Sequence, residues 1–319
     1  MSSLAPEAQT TIKPRASWEK NLDRGFVWLT RLLAMAIAAI LLWIAMEVAI
    51  EALPAIQRYG LGFFTSTDWN PVAEKYGALP QIYGTLVTAF IALLLAVPIG
   101  VGTALVVSEN FLPASVRTVV VFLIELLAAI PSVVYGLWGI FVLIPLLGHV
   151  GRWLHNYLGW LPIFSTPPSG PGILPAGIVL TIMILPIITA ISRDALVSLP
   201  PDLRQAAYGL GATRWETIFR VLLPAATSGI VGATMLGLGR AMGETMAVTM
   251  IIGNSNRISP SILTTGNTVA SLLANQFAEA DGIQISALMY AALILFGLTL
   301  LVNILAELVV RRVGRIRSH

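Results

Sequence analysis

Six stretches of this chain are long and apolar enough to leave no soluble fold open to it. They run over about 27–50, 81–107, 118–147, 173–191, 225–252 and 286–310. A helix needs about 20 mostly apolar residues to cross a bilayer. The expectation is therefore an all-α polytopic membrane protein with six transmembrane helices. The chain is 56% hydrophobic and 11% charged, whereas soluble domains carry about 25% charged residues. The third stretch contains Pro131, which predicts either a kinked helix or a helix followed by a re-entrant piece.

The first apolar run is too long for the core of a cleavable leader, and no small-residue cleavage site follows it. It reads as an uncleaved first helix. We expect a polar tail over 1–25, one membrane domain over 26–312 and a short tail over 313–319. No fixed-period repeat is visible. Outer loops are expected over 51–80, 148–172 and 253–285, the last carrying a short helix within Val269 to Ala278. Lysine and arginine set the orientation. The tail, the 108–117 loop, the 192–224 loop and the C-terminus hold fourteen of the 19 basic residues. The opposite loops hold four: Arg58, Lys75, Arg152 and Arg257. The positive-inside rule places both termini and the 192–224 loop in the cytoplasm.

That last loop holds the most specific local pattern, residues 200–224. Pro200 and Pro201 stop the preceding segment, and proline is tolerated in a first helical turn. Asp202 then suits the helix dipole. Ala206 and Ala207 are small enough for a partner surface to approach closely. Gly211 lets the backbone reverse, and Thr213 is placed to cap a second short helix. Trp215, Ile218, Phe219 and Leu222 recur at helical spacing, and Pro224 is expected to stop that helix and begin the next span. Such a knob is either a docking element or a loop packed on its own bundle.

Three charges fall well inside apolar stretches, whereas Arg31, Glu47 and Glu307 lie toward the ends of theirs. Arg240 and Glu244 are four residues apart in the fifth, where they would share a helix face and pair. Glu125 lies in the third and could share the cation. A charge at this depth costs at least ~2.5–3.5 kcal/mol, so it normally meets a partner or a polar cavity. One reading is an ion pair that fixes helix register. The other is an anion path, because a guanidinium is permanently charged and its planar donors match an oxyanion. The glycines at 229, 232, 237, 239 and 243 suit close helix packing. Cysteine is absent, and the histidines, His149, His155 and His319, are too scattered for a metal site. No cofactor is implied. A phosphate-binding loop needs lysine after glycine, and Lys13, Lys20 and Lys75 do not follow one.

The 200–224 pattern resembles the coupling loop of bacterial ABC importer permeases, in which Glu-Ala-Ala is followed after three residues by Gly, and later by an apolar residue, x, Leu, Pro. Ala206, Ala207, Gly211, Val221, Leu223 and Pro224 fill those positions, and Gln205 stands where the family has Glu. The runs Glu125-Leu-Leu-Ala-Ala-Ile-Pro-Ser, Gly239-Arg-Ala-Met-Gly-Glu-Thr and Ser271-Leu-Leu-Ala-Asn-Gln extend the likeness. Over about 75–312 the chain is similar to the PstC-type permeases of phosphate importers. The resemblance implies a type I ABC importer permease fold in a bacterial inner membrane. It also implies coupling residues at Gln205, Ala206, Ala207, Gly211, Leu223 and Pro224, and a substrate path at Arg240, Glu244 and Glu125. The implied partners are a homologous second permease, two cytoplasmic ATPase subunits, an extracytoplasmic phosphate-binding protein and membrane lipid. Such a chain is not itself an enzyme. The alternatives are a permease for another oxyanion, such as sulfate or molybdate, and an ion-coupled secondary transporter with Glu125 and Glu244 as proton carriers.

Overall fold

A computed structural model describes residues 17–109 and 111–316, with the side chains of Ser17, Glu19, Lys20 and 309–316 excepted. The expectations for Lys13, Arg15 and Lys20, and for Arg311, Arg312, Arg315, Arg317 and His319, lie outside these residues or side chains. The chain divides into two units, 1–50 and 51–319. In the first, the described residues are helical. They belong to α1 (Ser17–Tyr59), which carries an apolar stretch of membrane-spanning length.

The second unit contains the remaining long helices. They are α2 (Leu79–Ser108), α4 (Ser132–Leu158), α5 (Ile173–Val197), α7 (Arg214–Gly243) and α10 (Gly282–Ile316). With α1 they make six helices long and apolar enough to cross a membrane, among the described residues. Shorter helices lie between them: α3 (Ala114–Ala129), α6 (Pro201–Gly209), α8 (Met246–Ile251) and α9 (Val269–Gln276). A two-stranded hairpin pairs Trp69 with Tyr76 and Asn70 with Lys75.

α5 is the centre of the second unit. It is buried over 67% of its apolar window, whereas α2, α4, α7 and α10 are buried over 22–33%. Its main partner, α2, presents Ala89, Ala92, Ala96, Gly100 and Ala104 as a fully buried stripe. Small residues at helical spacing let two backbones approach closely, which is how membrane helices gain contact without a hydrophobic drive. A Cβ on Gly100 would stand 2.9 Å from Ile188, and one on Gly177 would stand 2.6 Å from Ile91.

The structure redraws four boundaries. The 118–147 stretch is two helices, broken where Ile130 and Pro131 take extended backbone. Proline pushes its predecessor out of the helical region and lacks the N–H of the next turn. Tyr135 Oη donates to the carbonyl of Leu127, 2.8 Å, meeting one acceptor left open by the break. The second of these helices also runs on through Leu158, so the outer loop expected from 148 begins later.

Pro224 does not stop a helix. α7 runs through it, with a widened π-type turn at Ile218–Leu222 just before the proline. The same device, Gly139–Leu143, precedes Pro145 in α4. An i→i+5 turn absorbs the missing donor and the ring's bulk without ending the rod. Finally, the 225–252 stretch breaks at Glu244, which is extended, and Thr245; α8 follows. α8 lies against the start of α4, where a Cβ on Gly136 would meet Met250 Sδ at 2.6 Å.

The expected helix within Val269 to Ala278 is present as α9. Thr268 and Ser271 form its reciprocal N-terminal cap, and Val269 and Leu272 are buried against Leu288 and Ala291 of α10. At this end of the bundle Asn256 accepts from Gln81 and from Asn267, both at 2.9 Å, tying α2 to the 253–268 segment.

Candidate functional site

The 200–224 segment folds as its sequence predicts up to Pro224. Asp202 lies in the first turn of α6, and Gly211 takes φ +83° at the reversal. Thr213 accepts from the N–H of Glu216, whose carboxylate accepts from Thr213 N at 2.9 Å, a complete capping box. The apolar stripe then divides. Ile218 and Leu222 are buried with Ala104, Leu196 and Ala226. Trp215 and Phe219 stack on each other and stay exposed, with Phe111 against Trp215 at 5.4 Å. Ala207 faces inward, whereas Gln205, Ala206 and Gly211 are exposed. Leu210 is 90% exposed, beside half-exposed Tyr208 and Leu203. The knob therefore offers exposed apolar side chains, of which Leu203, Tyr208 and Leu210 lie outside the membrane-length helices.

Sequence reasoning missed what holds this knob in place. Glu109, at the end of α2, is buried and pairs with Arg204 of α6 at 2.7 Å. Arg204 also donates to the carbonyl of Leu196 at 3.0 Å. Arg214, the first residue of α7, donates to the backbone carbonyl of Glu109 and lies 3.7 Å over the ring of Phe111. One residue thus takes its carboxylate to α6 and its carbonyl to α7. The available signal was a carboxylate closing an apolar run, opposite a loop with four arginines. Because the Thr213 cap starts the helix these contacts orient, Thr213→Ala should cost about 1 kcal/mol. A shift of that size in the thermal transition of the purified complex checks it.

Of Leu223 and Pro224, both half-buried, neither is presented like Leu210. They lie within α7, so they orient the knob rather than form its tip.

The intramembrane charges are arranged differently from the sequence expectation. Arg240 is exposed, in the last turn of α7. Glu244 lies past the end of that helix, so the shared helical face does not exist. Its carboxylate instead accepts from the N–H of Ala247 in α8 at 3.3 Å. Among the described residues no ion pair joins Arg240 to Glu244 or to Glu125. Glu125, exposed on α3, borders a cavity with Arg117 and Arg193. Of the five glycines in α7, Gly229 packs on Ala195 and Gly237 on Ile188. Around Gly232, Gly239 and Gly243 an added Cβ would meet nothing within 4 Å. The face carrying Gly239, Arg240 and Gly243 is thus open within this chain.

Residues 96–315 match the family described as binding-protein-dependent transport system inner membrane component. The chain is 43% identical over 323 residues, 98% of each chain, to the phosphate transport system permease protein PstC of Xylella fastidiosa (strain Temecula1). It is 44% identical over 307 residues to the protein of that name from Haemophilus influenzae, covering 95% of this chain and 96% of that one. Among solved structures, a bacterial alginate ABC transporter in complex with a pentasaccharide-bound periplasmic protein matches 92% of this chain and 97% of its own, with a TM-score of 0.59 at 19% identity. The MetNI methionine transporter in an inward-facing conformation matches 74% and 94%, with a TM-score of 0.53 at 20% identity. The fold is that of type I ABC importer permeases.

Proposed function

Since the chain belongs to the family of binding-protein-dependent transport system inner membrane components, we propose that it forms half of the membrane conduit of an ATP-driven inorganic phosphate importer. The other half is a homologous second permease. ATP is hydrolysed on two separate subunits, one docked at the 200–224 knob and the other at the second permease, on the cytoplasmic side with both termini. An extracytoplasmic phosphate-binding protein delivers the anion. The substrate class rests on the named relatives. Their likeness spans nearly the whole chain, whereas the solved structures support the fold alone.

The observation that carries the mechanism is the continuity of α7. It begins at Arg214, inside the knob, and ends at Gly243, one turn past Arg240. At about 1.5 Å per residue, the rod carries a displacement of the knob over roughly 40 Å to the membrane charge. The clasp of Glu109 on Arg204 and Arg214 makes α6, α7 and the end of α2 respond together. ATP binding then moves the knobs and reorients the bundle, which is alternating access. At the far end of the rod, Arg240 offers a fork of donors on an open face. Glu244, at the joint between α7 and α8, and Glu125 keep the path from trapping the anion. In a conduit fed by a binding protein, release matters more than affinity.

Proteoliposomes with the second permease, ATPase and binding protein test this reading. Uptake of labelled phosphate should need ATP on the ATPase side and resist excess sulfate or molybdate. Uptake driven by a proton gradient without ATP would instead make the chain a secondary transporter. The side chain of Gln205, exposed on α6, makes no hydrogen bond or ion pair among the described residues. Gln205→Glu should therefore leave ATP-driven uptake within about twofold of the parent, since an exposed ion pair is worth ~0–1 kcal/mol.

A further inference from the structure

A second cluster of polar side chains shares Glu125 with the proposed path but does not include Arg240. α2, α3 and α5 enclose a cavity of about 510 Å³, lined by Ser108 of α2, Arg117, Thr118 and Glu125 of α3, and Arg193 of α5. A narrow inner pocket continues from it, bordered by Glu125, Arg193 and Thr189. The cavity opens at the same end of the bundle as the knob, since Ser108 and Val197 also border the neighbouring pocket that contains Glu109 and Arg204.

Two groups here lack what burial demands. Arg193 is half-buried, yet among the described residues it makes no ion pair or hydrogen bond. Thr189 is 2% exposed, and its hydroxyl has no partner. An unmet buried hydroxyl costs about 1–3 kcal/mol, and a cation withdrawn from water costs more unless it is paired. Both border the narrow inner pocket, and Arg193 borders the larger cavity as well. The hydroxyls of Ser108 and Thr118 give their protons to Leu105 and Ala114 carbonyls, so their contribution to the lining is neutral. Arg193 and Glu125 share this lining without an ion pair between them among the described residues, and Val121 and Phe122 supply an apolar flank. A planar fork beside a hydroxyl donor suits a tetrahedral oxyanion.

We propose that this cavity binds a phosphate group, with Arg193 and Thr189 as its principal donors and Glu125 limiting its affinity. The group is either inorganic phosphate or the headgroup of an anionic phospholipid whose chains lie along Phe122. The two sources share one chemistry and are separable by experiment.

The test uses the complete transporter in nanodiscs, with Arg240→Ala as the background so that the other membrane guanidinium contributes nothing. One arm measures equilibrium binding of radiolabelled inorganic phosphate in zwitterionic lipid. The other measures phosphatidylglycerol retained on the complex by native mass spectrometry. Arg193→Gln and Thr189→Val should each lower occupancy about tenfold or more, roughly one strong hydrogen bond, in whichever arm carries the ligand. Glu125→Gln should raise it. The Glu125 variant separates ligand binding from an internal ion pair: if removing the carboxylate lowers occupancy as well, the cluster only braces itself. Unchanged occupancy of both phosphate and lipid in Arg193→Gln would also overturn the proposal. Binding rather than uptake is the readout, so failure of the transport reading leaves this one testable.

Discussion

Glu109→Ala should detach the ATPase from the permease while the six membrane helices remain assembled. The carboxylate is 7% exposed and its partner Arg204 22% exposed, at 2.7 Å. Removing one member of such a pair leaves a buried charge unmatched, at a cost of about 3 kcal/mol. The lower end of the usual range applies because Arg204 keeps its bonds to the Leu196 and Leu199 carbonyls. This loss falls on the joint between α6 and the rest of the unit, where Ala207 is the other anchor. The alanine packing of α2 on α5, which holds the helices together, lies elsewhere. The readouts are ATPase co-purification and ATP-driven uptake, both expected to fall sharply, beside an unchanged detergent elution profile for the paired permeases. The double variant Glu109→Ala/Arg204→Ala sharpens the argument. It removes both charges, so it should recover much of the lost stability. Coupling that survives the single variant intact would contradict the clasp.

The features legible in the sequence were those whose causes are local. Apolar runs of membrane length gave the number of helices. Asp202, Gly211 and Thr213 sit where a first turn, a reversal and a cap require them, because dipole, φ and N–H geometry are decided within four residues. The capping by Thr268 of α9 belongs to the same kind. What the sequence hid depends on the competition between local and distant terms. Pro224 carries a stop signal, but a widened turn lets the helix continue while Ile218 and Leu222 are held by packing on Leu196. Spacing alone paired Arg240 with Glu244. The helix ends between them, and the carboxylate serves the first turn of α8. Glu109 was invisible because its partner lies 95 residues away, a separation no periodicity encodes. The inward stripe of α2 was overlooked for a related reason. Small residues read as weakly apolar, although in a membrane they mark the closest contact.

Arg240→Ala should abolish ATP-driven phosphate uptake, by at least about 100-fold at subsaturating phosphate, with assembly and ATPase docking intact. Arg240 sits exposed in the last turn of α7. Among the described residues it makes no hydrogen bond or ion pair, and the glycines beside it on α7 leave its face open. An arginine in a membrane helix without a partner costs ~2.5–3.5 kcal/mol or more, so the assembled conduit must supply water or an anion there. A side chain unsupported by its own fold contributes little to stability, and its removal leaves no buried group unpaired. What is lost is a charged donor set facing the path. Two charge-assisted hydrogen bonds at about 1.5–3 kcal/mol each account for a loss of that size. Arg240→Lys separates charge from geometry: it keeps the cation but not the planar fork. Uptake should fall by about tenfold rather than vanish, with the defect relieved at high phosphate. If both variants lose ATPase docking along with uptake, Arg240 is a structural brace rather than a contact in the path. If the alanine variant takes up phosphate normally, the anion passes elsewhere.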